Sequence, residues 1–284
     1  MDWCFAHGND AAIQIAVSTA GSVENFADLM NKKAKELNLS HTHFITPHGL
    51  DEDEHYTTAY ELALIADYAL NIEKISEVVG TKVYNVNING TTKTITNTNE
   101  LLGYLEGVNG VKTGFTNGAG RCLVTSVERE GFNIITVVLG ANTKKIRARD
   151  SINLIEYIYS NYKLINLQDL INEEFNNWKY INQQRIKIDK GINKKLEIGL
   201  SNLKYKFYPV KNEEINNIKL TVNSIKYLEA PVSKNTKIGE VKVNIGGNNI
   251  CTIDIITKCN IEKKNIGNYL LELIGKYKDF EVIK

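Results

Sequence analysis

Apolar and polar positions along this chain alternate between two periods. From Asn9 to about Asn38, Ala12, Ile15, Ala16, Phe26, Leu29, Met30, Ala34 and Leu37 recur at the spacing of one helical face. Gly21 and Ser22 split that run into two helices. His41 to His55 reads as loop, because Pro47 drives Thr46 toward an extended backbone and Gly49 permits a tight turn. A helix is predicted from Thr58 to Leu70, with Thr57 or Thr58 as its cap and Glu61 in its first turn. The period then falls to two. Val83, Val86 and Ile88, followed by Gly90 and Thr92, Thr94 and Thr96, predict a hairpin. Val108 to Phe115, Arg121 to Arg129 and Phe132 to Leu139 predict three consecutive strands, the last two joined by Glu130-Gly131. Helical spacing returns from Arg147 to Tyr162 through Ile152, Ile155 and Ile158.

Beyond about Lys163 the apolar runs become short and alternating: Arg185 to Asp189, Leu196 to Leu200, Leu203 to Tyr208, Ile218 to Val222, Ile238 to Ile245 and Ile250 to Ile255. This pattern predicts a small β-sandwich or barrel, with Gly246-Gly247 turning its last hairpin. The tail from Asn265 sets Ile266, Leu270, Leu273, Ile274 and Tyr277 on one face of a short helix flanked by lysines. Such a helix suits a membrane surface or a docking face on its own domain, and periodicity does not choose between them.

At 284 residues the chain holds two domains, each with a hydrophobic core. The net charge of +1 supplies no global field for steering nucleic acid, so no nucleic-acid partner is expected. Cys4, Cys122, Cys251 and Cys259 are scattered without a C-x-x-C pair, so neither a zinc ribbon nor a disulfide scaffold is predicted, and no metal or cofactor is expected. The first residues have no basic segment leading into a long apolar one, so no secretory signal is expected in them. No apolar run reaches the length of a spanning helix.

Candidate chemistry concentrates in Gly107-Val108-Asn109-Gly110-Val111-Lys112-Thr113-Gly114-Phe115-Thr116, followed by Gly118-Ala119-Gly120-Arg121. A K-T-G tripeptide on a strand, followed by a second strand, is the placement of the third motif of penicillin-binding enzymes and β-lactamases. An edge strand can pair with an extended peptide, while lysine and threonine offer a charge and a hydroxyl to its terminal carboxylate. Three further stretches keep the same order. Gly8-Asn9-Asp10-Ala11-Ala12 resembles the end of S-G-N-D-A. Phe44 to Leu50 with His55 to Ala63 resembles N-P-H-G-L…H-Y-S-T-A-x-D-L-A, and Val137 to Ala141 with Arg147 and Asp150 resembles the strand and helix that follow K-T-G. Downstream, Glu229-Ala230-Pro231-Val232 and Ile238-Gly239-Glu240-Val241 resemble the accessory β-domain. Over nearly its whole length the chain resembles the serine-type D-alanyl-D-alanine carboxypeptidases, the low-molecular-mass penicillin-binding proteins.

The resemblance implies an α/β (α+β) fold: a partial DD-peptidase-like domain over residues 1–162, an all-β accessory domain over 163–262, and an amphipathic tail over 263–284. It implies removal of the terminal D-Ala from peptidoglycan stem peptides in cell-wall synthesis, on the extracytoplasmic face of the membrane, with β-lactam antibiotics as ligands. Lys112, Thr113 and Gly114 would hold the substrate carboxylate, assisted by Arg147; the backbone N–H of Phe115 would donate to the oxyanion, and Asn9 would bond the substrate amide. His7 stands where the family's S-x-N motif has its serine. The family nucleophile lies in an S-x-x-K motif upstream of S-x-N, and only six residues precede His7. Ser160 to Lys163 and Ser201 to Lys204 match S-x-x-K as patterns, but both follow the K-T-G strand. A non-catalytic remnant that binds stem peptides is therefore the second expectation. A β-lactamase is disfavoured by the H-Y-T-T-A segment and the accessory domain. His48 and His55 are expected to shape their loop rather than to react.

Overall fold

A computed structural model describes residues 8–88, 90–193 and 195–281. The chain divides into two compact units, Met1–Ser160 and Asn161–Lys284.

In the first unit, α1 (Asn9–Ala20) ends on Gly21 at φ 83°, a left-handed conformation that glycine adopts without the Cβ penalty. Ser22 then caps α2 (Val23–Glu36), its hydroxyl accepting from the Asn25 amide at 3.1 Å. Thr58 caps α3 (Ala59–Leu70) in the same way through the Glu61 amide, as its position predicts. Periodicity does not reveal α4 (Glu73–Gly80), eight residues that bury one side chain, Val79.

The hairpin β1 (Val83–Ile88) and β2 (Thr91–Thr96) pairs Val83 with Thr96. A three-stranded antiparallel sheet follows, β3 (Val108–Thr116), β4 (Gly120–Arg129) and β5 (Phe132–Ala141), in the order β3-β4-β5. Glu130 and Gly131 have φ of 51° and 77°, the two positive values of the tight hairpin turn expected there. Among the described residues β3 and β5 are therefore the outer strands. Helix α5 (Lys144–Asn161) supplies Ile155 to a core with Leu101, Val108, Leu123 and Val127. Helices α3 and α4 lie against β5 and β3. At the α4 crossing a Cβ on Gly110 would come within 3.0 Å of Val79, and one on Gly80 within 3.0 Å of the Asn109 carbonyl, so both glycines allow the close approach.

In the second unit, a four-stranded antiparallel sheet runs β10 (Lys219–Ser224), β12 (Lys237–Ile245), β13 (Asn248–Thr257), β8 (Ile198–Leu200). Two smaller pairs accompany it: β6 (Tyr162–Asn166) with β9 (Phe207–Lys211), and β7 (Lys187–Asp189) parallel to β11 (Tyr227–Glu229). The β-rich expectation needs two corrections, the first being that α6 (Leu167–Asn182) forms sixteen residues of it. Leu167, Ile171 and Phe175 fall four residues apart on α6 and are buried with Val241, Val243, Ile253 and Ile255. A second correction concerns Leu203 to Tyr208, where pairing begins only at Phe207. Gly246 and Gly247, at φ 56° and 85°, turn the β12–β13 hairpin as expected. The tail forms α7 (Ile266–Glu281), with Ile266, Leu270, Leu273 and Ile274 all more than half exposed.

Candidate active site

The K-T-G residues lie in the middle of the outer strand β3. Lys112 pairs with Val124, Thr113 with Leu123 and Gly114 with Cys122. The Lys112 ammonium donates to the Thr113 carbonyl at 2.8 Å, so it is held along the strand. Thr113 is buried, and its hydroxyl lies 2.6 Å from that of Thr98. A Cβ on Gly114 would meet only Cys122, at an ordinary 3.6 Å, so packing within the chain does not account for the small residue there. Phe115 is half exposed, with the Arg121 guanidinium 4.2 Å from its ring centre.

Thr98 belongs to a brace that periodicity misses. Asn97 donates to the carbonyls of Val79 and Thr81, at 3.2 and 3.1 Å, and accepts from the Asn99 amide at 3.0 Å. Asn99 is buried; it donates to the Gly110 carbonyl at 3.0 Å and accepts from the Leu101 amide at 3.1 Å. Two side-chain amides thus tie the end of α4 to the start of β3 and set Thr98 between them. The sequence signal is slight: two asparagines two residues apart, just before buried Leu101 and Leu102.

Arg147 comes from the first turn of α5 and is almost fully buried. It forms an ion pair with Glu100, the residue after the brace, and donates to the Cys122 carbonyl at 3.3 Å. Its Nε has no hydrogen-bond partner among the described residues. Arg147 is thereby fastened to β4 at the strand partner of Gly114. Asn9 opens α1 and is half-buried. His7 lies outside the described residues.

The loop before α3 frames the far end of β3. Asp51 accepts from the Gly118 amide at 3.0 Å. A hydrogen bond from Thr116, then the one from Gly118, holds the Asp51 carboxyl below the usual carboxylate range. His55 Nδ1 accepts from the Ile45 amide at 3.1 Å and His48 Nδ1 from the Leu50 amide at 3.2 Å, the loop-shaping work expected of both rings. Burial, then the neighbouring His43 and His48, pushes the His55 pKa down. Glu61 anchors the loop's start. Burial raises its pKa, but hydrogen bonds from Thr42 and the His41 amide outweigh that and keep the carboxyl ionised. A cavity of about 890 Å³ lies within this frame, lined by Leu50, Asp51, His55, Thr116, Cys122 and Leu139 among others.

Neither Ser-x-x-Lys pair sits on one helical turn. Ser160 is at the C-terminal end of α5 with Lys163 in β6, and Ser201 follows β8. Among the described residues no group of three metal-ligating side chains converges.

Comparison with known proteins accords with this geometry. The D-alanyl-D-alanine carboxypeptidase family matches residues 3–143, and the C-terminal domain of penicillin-binding protein 5 matches residues 180–263. The carboxypeptidase DacF of Bacillus subtilis is 31% identical over 280 residues, covering 97% of this chain and 69% of its own length. DacA of Haemophilus influenzae is 29% identical over 87% of this chain and 60% of its own length. This chain therefore spans about two thirds of these relatives or less. The crystal structure of penicillin-binding protein 5 from Haemophilus influenzae shares the fold, with a TM-score of 0.70 at 24% identity over 92% of this chain and 73% of that one. With the Lys112-Thr113-Gly114 strand braced as described and relatedness running through both units, the chain belongs to the D-alanyl-D-alanine carboxypeptidase family.

Proposed function

We propose that the protein serves as a serine-type carboxypeptidase of peptidoglycan stem peptides, and that the described residues form its substrate-holding part. The observation that carries this reading is the outer strand β3, with Lys112 along it, Thr113 fixed to Thr98, and no neighbour closer than 3.6 Å to a Cβ placed on Gly114. A peptide ending in D-Ala-D-Ala would lie along β3 as an added strand. Its terminal carboxylate would meet Lys112 and the Thr113 hydroxyl, with Arg147, paired with Glu100, assisting by holding the Cys122 carbonyl opposite Gly114. The Phe115 N–H would donate to the developing oxyanion and Asn9 would bond the substrate amide. His7 stands in place of the S-x-N serine, a departure that sets the family's proton relay in question for this chain.

Covalent catalysis needs a serine with a lysine one turn away to accept its proton, and among the described residues no such pair stands on a helix. Turnover, and acylation by β-lactams, therefore depend on a Ser-x-x-Lys segment outside these residues. That same observation favours a second reading, a protein that binds stem peptides without cleaving them.

The boundaries 1–162, 163–262 and 263–284 are proposed as catalytic-domain portion, accessory domain and tail. The exposed apolar residues of α7 support peripheral contact with a membrane surface at the extracytoplasmic face. The full chain should bind a peptide with a free D-Ala-D-Ala carboxylate and not its C-terminal amide. Lys112→Ala should weaken that binding about tenfold or more. Equal binding of acid and amide overturns the reading. Labelling of this chain by a fluorescent penicillin would overturn the non-cleaving alternative.

A further inference from the structure

The two units carry opposite charge. Residues 1–160 hold 13 Lys plus Arg against 19 Asp plus Glu, a net of −6, while residues 161–284 hold 21 against 14, a net of +7. The near-neutral total conceals a basic second unit.

Within that unit one cleft gathers cations and rings. It measures about 440 Å³, and no acidic residue lines it. One wall is the end of α6 and the turn after it, with Trp178, Asn182 and Arg185; the other is the β7–β11 pair, with Lys187, Lys226 and Tyr227. The second wall is pinned internally: the Lys187 amide donates to the Lys226 carbonyl at 3.0 Å, and Lys187 and Tyr227 are strand partners. Lys187 Nζ stands 5.9 Å from the Tyr227 ring centre. Tyr227 is 68% exposed. Among the described residues no carboxylate comes within ion-pair distance of Arg185, Lys187 or Lys226. Among the described residues Arg185 bonds the neutral Asn182 side chain, at 3.3 Å.

Some lysines of this unit are matched by carboxylates, Lys190 by Glu229, Lys237 by Asp254 and Lys242 by Glu240, and those of the cleft are not. Three unneutralised cations around a concave surface raise the local potential and concentrate anions. The exposed Tyr227 ring is of the kind that packs against a sugar, Trp178, itself stacked on Phe175, lines the cleft near it, and Asn182, Asn223 and Ser224 add neutral hydrogen-bonding groups. We infer that this cleft is a binding site for an anionic saccharide, one whose ring stacks on Tyr227 while its carboxylate or phosphate meets Arg185, Lys187 and Lys226. The site lies in the second unit, so it would tether the protein to a charged glycan independently of β3.

Tryptophan fluorescence reads the site directly, because Trp178 lines it and Trp3→Phe removes the other indole. The full chain is titrated with a hexasaccharide of alternating N-acetylglucosamine and glucuronate, with a phosphorylated dextran, with neutral chitohexaose, and with phosphatidylglycerol vesicles. Binding of either charged saccharide, at least about tenfold tighter than chitohexaose, is expected. The tighter of the two tells which anionic group the site prefers. Lys226→Glu and Tyr227→Ala should each weaken that binding about tenfold, with Lys187→Glu as a second charge reversal should Tyr227→Ala disturb the fold. Binding of neither charged saccharide, chitohexaose binding as well as they do, or affinities unchanged by Lys226→Glu and Lys187→Glu would overturn the assignment. So would vesicle binding alone being lost in the charge-reversal variants, which would make this a lipid-facing surface.

Discussion

Asn99→Ala tests the brace beneath the K-T-G strand. Asn99 is 2% exposed, and its side chain satisfies two backbone groups, the Gly110 carbonyl and the Leu101 amide. Truncation leaves both without a partner in a site closed by Leu101, Leu102 and Val108. A buried backbone group stripped of its hydrogen bond costs about 1–3 kcal/mol, so two of them should cost about 3 kcal/mol after partial relaxation. That is a large share of a domain stability of roughly 5–15 kcal/mol. With a urea m-value of about 1–3 kcal/mol per molar, the midpoint of the first unit should fall by roughly 1–3 M. Far-UV circular dichroism in urea gives the midpoint, and amide hydrogen exchange across Val108–Thr116 shows whether the loss centres on β3. Thr98→Val is the companion. It removes the hydroxyl 2.6 Å from Thr113 but leaves the asparagine bonds, and should cost about 1 kcal/mol while weakening capture of the peptide carboxylate. If Asn99→Ala shifts the midpoint no further than Thr98→Val, or exchange at β3 stays as slow as in the parent, the brace does not hold the strand.

Three smaller predictions follow from the same geometry. His55, with its pKa pushed below the ordinary 6.5 by burial and by His43 and His48, binds protons more weakly folded than unfolded. Its contribution is therefore complete above pH 6.5 and is lost as the pH falls below it; His55→Gln should flatten the thermal-midpoint profile of the first unit between pH 7 and 5. Asp51, depressed by Thr116 and Gly118, works at lower pH. The β3–β4 turn should stay closed above the ordinary carboxylate pKa and loosen as acid protonates Asp51, seen as faster Gly118 exchange whose pH dependence disappears in Asp51→Asn. Ser22→Ala removes the α2 cap and should cost about 1 kcal/mol by urea denaturation, with Ser22→Gly costing less.

Local signals located most of the architecture. Gly21-Ser22 marks both helix ends because left-handed backbone and capping are written in single residues. Thr58 and the Glu130-Gly131 and Gly246-Gly247 turns are legible for the same reason. Alternation placed the K-T-G residues on a strand, and the pairing order put that strand outermost. What escaped depends on contacts far apart in the chain. Helix α6 hides because its buried residues sit four apart among asparagines and glutamates, beside a region where short alternating runs dominate. The asparagines at 97 and 99 are polar residues whose partners lie up to 18 positions away, so no periodic pattern flags them. Arg147 was expected to assist Lys112 and Thr113, and nothing in its neighbours announced that Glu100, 47 positions earlier, would pair with it.

The small sheet ends in two ladders of unlike character. On β3 the register shift between Val108 and Gly110 and the presence of Lys112 discourage a foreign strand from zipping along its whole length. On β5, Phe132 to Ala141 run for ten residues with neither a charge nor a proline, and the described residues give that strand a single neighbour. Handling therefore becomes part of the chemistry. A concentrated stock would lose monomer faster than in proportion to its concentration, as β5 strands template one another, and a lysine at exposed Asn133, which does not line the cavity beside β3, would lengthen its shelf life.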